Sequence, residues 1–234
     1  MRETTRFGTG RRVLWGVVGT VAVLASTLLA GITDVPSAFA AQTASRARVV
    51  AFQAAGDVGG GVLEPGTTYP PTTHGSATLK RGSDWIKVKI KTSGLPAGAY
   101  TVWWVVFDTP DGCVDGCGED DLFNPDAHVS VFYATGGLVH KGRTVTFRAR
   151  HRVGDEVGEP GTQHILGDGS IDPARAEIHN IIKYHGPASD NPATRYEQTH
   201  TLLGGCYEGA NALDLGEPFG VQCFDPQAVA HPLS

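Results

Sequence analysis

The chain has 234 residues, with 19 basic and 24 acidic side chains and a formal net charge of −5. Residues 1–40 contain four of the basic and two of the acidic side chains, so the rest of the chain is at about −7. That charge argues against nucleic acid or an anionic membrane surface as the partner. About 194 residues beyond position 40 suit one domain with a sizeable core.

Residues 1–40 have the three parts of a secretory signal peptide. Four arginines form a positive start, residues 13–32 are apolar, and residues 37–40 (Ser-Ala-Phe-Ala) offer the small side chains that a signal peptidase needs. A permanent membrane anchor is the alternative, because about 20 apolar residues can span a bilayer. The cleavage pattern favours the signal peptide, and it predicts a secreted protein with no membrane span after cleavage.

Short apolar stretches separated by Gly- and Pro-rich turns follow in chain order. Residues 41–74 are expected to be flexible, with a first strand at 49–53. Residues 85–91 alternate apolar side chains with lysines, which predicts a half-buried strand that forms a hairpin with residues 75–80. Residues 100–107 are apolar on both faces and predict a central strand. Further strands are predicted at 128–134, 143–150 and 176–184, and residues 226–234 are expected to be a tail.

The strand pattern predicts the fold class. No stretch keeps the 3.6-residue apolar period over a helical length, and 31 glycines and 14 prolines separate the short strands. This combination is typical of an antiparallel β-sandwich, with a β-barrel as the alternative. We therefore predict one all-β domain over residues 75–225.

Four cysteines, an even number, predict two disulfides in an exported protein, because that compartment is oxidising. Three pairings are possible, and the spacing favours Cys113 with Cys117 and Cys206 with Cys223. The alternative for the first pair is a CxxxC copper site, in which thiolates hold Cu(I).

Histidines suggest a second kind of metal site. Glu177 and His179 point to the same face of a predicted strand, at positions i and i+2. With histidines from neighbouring strands, His128 and His151 first among them, they form a candidate zinc or copper site. Solvated or hydrogen-bonded histidines are the alternative.

Acidic residues crowd the segment around the first cysteine pair. Carboxylates at this density could hold Ca²⁺, although the EF-hand spacing is missing. A solvated acidic loop is the alternative. The candidate calcium ligands are Asp108, Asp111, Asp115, Asp120 and Asp121.

Known catalytic signatures are missing from the sequence, including Gly-x-Ser-x-Gly, His-Glu-x-x-His and the phosphate-binding Gly-rich loop. Trp103 and Trp104 point to opposite faces of a strand, so one of them could line a binding surface together with His185, or both could be core.

Two stretches resemble a known family. Residues 79–104, with a strand, a Thr-Ser-Gly-Leu-Pro turn and a second strand, and residues 178–188, which contain Ile-His and His-Gly-Pro-Ala, resemble the CHRD domain. A wider likeness, over residues 75–206, is to bacterial secreted proteins that carry such a domain. The resemblance implies a secreted, CHRD-like or Greek-key β-sandwich and implies no reaction.

The functional prediction follows from these points. The sequence favours a secreted, non-catalytic binding or structural module with an extracellular ligand and no nucleic-acid partner. The alternative is a Zn- or Cu-dependent protein or enzyme that uses Glu177, His179 and histidines of adjacent strands.

Overall fold

The computed structural model describes residues 43–52, 71–155, 164–170, 172–206 and 223–233. The predicted signal peptide lies outside these residues, and so do residues 53–70 of the segment 41–74 that was predicted to be flexible. Two single-turn 3₁₀ helices, Pro110–Gly112 and Glu119–Asp121, lie between the strands Gly98–Phe107 and Val129–Val139. The main elements are β1 Thr43–Ala51, β2 Pro71–Arg81, β3 Trp85–Thr92, β4 Gly98–Phe107, β5 Val129–Val139, β6 Val145–Arg152, β7 His164–Leu166, β8 Glu177–Tyr184, α1 Pro192–His200 and β9 Phe224–His231.

The nine strands form one antiparallel sheet in the order β6-β3-β2-β1-β9-β8-β4-β5-β7. The sheet curls into a half-barrel. As a result β6, at one edge, contacts β5 near the other edge, where the rings of His151 and Phe132 lie 4.5 Å apart. The prediction of an antiparallel all-β fold is confirmed. The two separate sheets of a sandwich are not confirmed, and the CHRD resemblance stays a prediction.

Strand β9 joins two groups of four strands, β6-β3-β2-β1 and β8-β4-β5-β7. Hydrogen bonds from side chains of β2 and β3 strengthen its attachment. Thr92 Oγ1 donates to Gln227 Oε1 at 2.6 Å, and Arg81 Nη2 donates to the His231 carbonyl at 2.7 Å. The structure therefore differs from the sequence prediction for residues 226–234, because most of the expected tail lies in a central strand.

Strand β4 is buried along its whole length, as predicted for residues 100–107. Alternate side chains enter two separate apolar clusters. Val102, Trp104 and Val106 belong to the larger cluster, which the curled sheet encloses and which we call the inner core. Trp103 and Val105 belong to a smaller cluster on the opposite face, which we call the outer face. Each of the two tryptophans thus packs in a different environment.

Helix α1 was not predicted, since its sequence has no apolar stripe. Its start is nevertheless well specified: Pro192 occupies the first turn, and the Asn191 side chain accepts hydrogen bonds from two backbone amides of that turn. The helix ends against β5, where Tyr133 Oη donates to the Thr199 carbonyl at 2.8 Å. At Gly136 a Cβ atom would collide with that same carbonyl, so glycine permits this close approach.

Candidate ligand-binding site

A cleft of about 390 Å³ opens on the outer face of the sheet. Its volume is within the range of small-molecule sites, which is roughly 300–1,000 Å³. Nine of its eleven lining residues are apolar and two are charged. The lining residues are Trp103, Val105, Leu122, Phe123, Val131, Ile165, Leu166, Ile181, Lys183, Leu202 and Asp225.

The base of the cleft is formed by neighbouring strands in register. Trp103 of β4 lies opposite Ile181 of β8, and Val105 lies opposite Val131 of β5. Directly opposed residues of an antiparallel pair project from the same face of the sheet, so these side chains form one continuous apolar surface. Rigid strands thus supply the base.

The rim of the cleft exposes large apolar side chains to solvent. Phe123 is 85% exposed and Ile165 is 43% exposed. Singly scattered apolar residues on a surface need no explanation, but a concave apolar surface with an apolar rim is typical of a binding site.

The segment that carries Leu122 and Phe123 is held in place by the first disulfide and by one buried carboxylate. Cys113 and Cys117 are bonded. Asp121, only 1% exposed, accepts hydrogen bonds from the backbone amides of Val114 and Gly118, each at 3.0 Å. Its role is therefore to shape this wall of the cleft.

Two charged side chains stand in the apolar lining. Lys183 Nζ of β8 and Asp225 Oδ1 of β9 are 3.9 Å apart, and both side chains are almost completely buried. Charges in such surroundings attract each other more strongly than they do in water. The pair is neutral overall and offers a ligand both hydrogen-bond donors and acceptors.

A buried chain of hydrogen bonds runs from the cleft to the second disulfide. Trp103 Nε1 donates to Thr101 Oγ1 at 2.7 Å, and Thr101 Oγ1 lies 2.7 Å from His185 Nε2. His185 Nδ1 donates to the Gly204 carbonyl at 2.8 Å and lies 3.2 Å from Cys206 Sγ. His185 is therefore a buried, hydrogen-bonded group.

The pKa of His185 is lowered to about 4, chiefly because burial penalises the charged ring. The hydrogen bond to Gly204 opposes this shift, and the nearby Lys183 charge adds to it. His185 is consequently neutral at neutral pH.

The residues of the predicted zinc or copper site lie in different places. Glu177 Oε1 and His179 Nε2 are 2.7 Å apart, as their shared face led us to expect. His151 projects into the interior against Phe132, and His128 lies beside another cleft. Within the described ranges, these four residues do not form a group of three or more ligands.

The candidate calcium ligands are also spread out. Asp108 and Asp111 line a second cleft, with Asp172 and Arg175 nearby. Asp108 Oδ1 accepts a hydrogen bond from the Asp172 backbone amide at 2.8 Å. Asp115 and Asp120 are exposed, and Asp121 is engaged with backbone amides.

Both cysteine pairs favoured by the spacing are bonded in the structure, Cys113 with Cys117 and Cys206 with Cys223. Disulfides indicate an oxidising environment. No helix in the described part of the chain is both long enough and apolar enough to cross a membrane.

Sequence reasoning placed Trp103 at the candidate surface but missed Lys183, Asp225 and Phe123. One signal was present for Lys183: it is the only charged residue in the mostly apolar stretch 178–184.

Searches of protein-family models, curated proteins and solved structures found no match to this chain.

Proposed function

We propose that this protein is a secreted binding module that takes a small, mostly apolar ligand in the cleft on the outer face of its sheet. The observation that carries the proposal is the cleft itself: an apolar surface on rigid strands, with a charged pair at one point and exposed apolar side chains at the rim. Sites for small molecules have this composition, with few polar groups in an apolar lining.

The charged pair restricts the chemistry of the ligand. Because Lys183 and Asp225 compensate each other, a charged ligand group beside them would leave one buried charge unpaired, which is costly. A hydroxyl group can instead accept from the ammonium or donate to the carboxylate, and a carbonyl group can accept from the ammonium, at no such cost. We therefore assign the cleft to a neutral apolar molecule that bears a hydroxyl or carbonyl group.

The location forms part of the proposal. Two disulfides support an oxidising compartment. The predicted signal peptide supplies a route of export to it. An extracellular module of this kind would capture a poorly soluble molecule by removing its apolar surface from water.

Calorimetry with two rigid probes that share one aromatic ring system tests the ligand class. We expect 1-naphthol to bind to the purified protein, and 1-naphthoate to bind at least about tenfold more weakly, a difference of about 1.4 kcal/mol. Equal affinities would contradict the role of the charged pair. No binding of either probe would contradict the cleft as a site for such molecules.

A matched pair of variants tests the position of the site. Ile165 in the cleft and Leu138 outside it are equally exposed, at 43% and 42%. Ile165→Asp places a carboxylate in the apolar rim and should weaken 1-naphthol binding at least about tenfold. Leu138→Asp should leave the affinity unchanged, whereas equal losses in both variants would place the binding elsewhere.

A further inference from the structure

The second disulfide lies against a buried histidine, in a place that the proposed cleft function does not use. Cys206 Sγ, Cys223 Sγ and His185 Nδ1 all lie within 4.8 Å of one another. Across the described ranges, this is the only group of three such side chains whose ligand atoms come so close together. Two sulfurs and one imidazole nitrogen match the donor atoms that zinc prefers.

We propose that reduction of the Cys206–Cys223 disulfide creates a zinc-binding site formed by the two thiolates and His185 Nδ1. A dithiol supplies two electrons and two protons: the sulfur–sulfur bond breaks, two thiols form, and the dithiol becomes a disulfide. Zn²⁺ then replaces the two thiol protons, which are released to solvent. In the oxidised state described above, the sulfurs are bonded to each other and do not act as ligands.

The movements that this requires are small. Tetrahedral zinc with Zn–S of about 2.3 Å and Zn–N of about 2.0 Å needs its sulfurs about 3.8 Å apart and each sulfur about 3.5 Å from the nitrogen. Cys206 Sγ is already 3.2 Å from His185 Nδ1. The two sulfurs must also move apart, which breaking the bond between them brings about.

The surroundings of His185 suit a metal ligand. Metal-bound histidines usually donate their second ring N–H to a fixed acceptor, which sets the tautomer and the ring orientation. Thr101 Oγ1 lies 2.7 Å from Nε2 and donates to it while Nδ1 donates to Gly204. With zinc at Nδ1, the same hydroxyl oxygen becomes the acceptor for the Nε2 proton, and Trp103 Nε1 holds it in place. Zinc at Nδ1 would shift the ring proton to Nε2 at the expense of the hydrogen bond to Gly204.

Burial also favours zinc at this position. His185 and Cys223 are almost inaccessible to solvent, while Cys206 is partly exposed, in the turn that follows α1. The three side chains leave the fourth position of a tetrahedral zinc for water or an external ligand.

The first disulfide provides an internal control. Cys113 and Cys117 are bonded in the same way but have no third ligand within the same distance in the described residues. A Cys113→Ala/Cys117→Ala variant removes these two thiols from the measurement. After reduction, every sulfur-bound zinc in this variant must then be held by Cys206 or Cys223.

The test is a Zn²⁺ titration of the full chain carrying these two substitutions, with and without reduction by a phosphine. We expect one equivalent of zinc in the reduced protein and none in the oxidised protein. Co²⁺ in place of Zn²⁺ should give a sulfur-to-cobalt charge-transfer band. Failure of the reduced protein to take up zinc, including loss of fold on reduction that one equivalent of zinc does not reverse, would overturn the proposal.

Two further substitutions identify the ligands. Cys206→Ser should abolish the charge-transfer band or reduce it to that of a single thiolate, and His185→Gln should weaken zinc binding at least about tenfold. Unchanged affinity in either variant would refute the assignment. If His185→Gln does not fold, X-ray absorption at the zinc edge of the reduced Cys113→Ala/Cys117→Ala protein tests the ligand set instead. Two sulfur ligands together with nitrogen or oxygen support the site, and any other number of sulfurs refutes it.

Discussion

The two faces of the sheet share strand β4 but are covered in different ways. On the inner face, side chains from both groups of strands meet, and the curled sheet encloses them. On the outer face, a disulfide-bonded loop, the short strand β7 and the segment after α1 cover part of the surface and leave the cleft. A strand buried on both sides can therefore pack into the enclosed core with one set of side chains and line a cleft with the other.

Truncation of the two neighbouring tryptophans should separate these roles. Trp104→Ala removes the largest side chain of the inner core and should lower the free energy of unfolding by about 3–5 kcal/mol. Trp103, although only 2% exposed, belongs to the smaller outer cluster and lines the cleft, so Trp103→Ala should cost less, about 2–3 kcal/mol. Urea unfolding of both variants measures the difference. Equal losses would contradict the distinction between the two faces.

Acid should destabilise both faces through buried histidines. The pKa of His185 near the outer face is lowered to about 4 and that of inner His231 to about 3, chiefly by burial. The unfolded chain takes up these protons near pH 6.5, so stability is full above that pH and is lost as the pH falls toward the folded-state values. For His185 alone the loss is about 3 kcal/mol.

Urea unfolding near pH 7 and near pH 4 checks this expectation. The parent should lose more stability than His185→Gln over this interval, by about 3 kcal/mol, since Gln has no proton to gain. The remaining loss in the variant includes the contribution of His231. An identical loss in parent and variant would contradict the buried, neutral state of His185.

The loop that borders the cleft should depend on a single carboxylate. Asp121→Ala leaves the backbone amides of Val114 and Gly118, the second of them buried, without their acceptor and should lower the free energy of unfolding by about 1–3 kcal/mol. The neighbouring Asp120 is exposed, so Asp120→Ala should change it by less than about 0.5 kcal/mol. Hydrogen exchange at Gly118 should speed up in the first variant alone. Matching effects in the two variants would refute the role of Asp121.

The sequence was informative where periodicity is simple. In β3 the pattern is confirmed residue by residue, with Ile86, Val88 and Ile90 buried and the intervening lysines exposed. Continuous apolar character likewise identified β4 as a central strand. In both cases one stretch of chain carries all the information, because burial on one face or on both is visible in the order of side chains.

Strand β9 and helix α1 were harder to predict, each for a different reason. Strand β9 contains Asp225 and Pro226, which are unfavourable in strands, and its place in the sheet depends on partners far away in the chain. Helix α1 has no apolar stripe, although Asn191 and Pro192 are an N-terminal signal that could have been recognised. Tertiary contacts therefore override local preference in β9, whereas the start of α1 is specified locally.

The cleft could not be predicted because its lining comes from separate parts of the chain. Trp103, Phe123, Ile165 and Asp225 belong to four different segments that only the folded sheet brings together. The proximity of His185 to the second disulfide has the same origin. Opposite faces for Trp103 and Trp104, by contrast, followed from strand geometry alone.

The place of β9 between the two groups of strands has a consequence for biosynthesis. Residues 224–231 leave the ribosome after all the other described strands, yet only they connect β1 to β8. The nascent chain can form hairpins such as β2–β3 early, but the continuous sheet has to wait for β9. A chain whose sheet closes this late remains incompletely folded while it is being made.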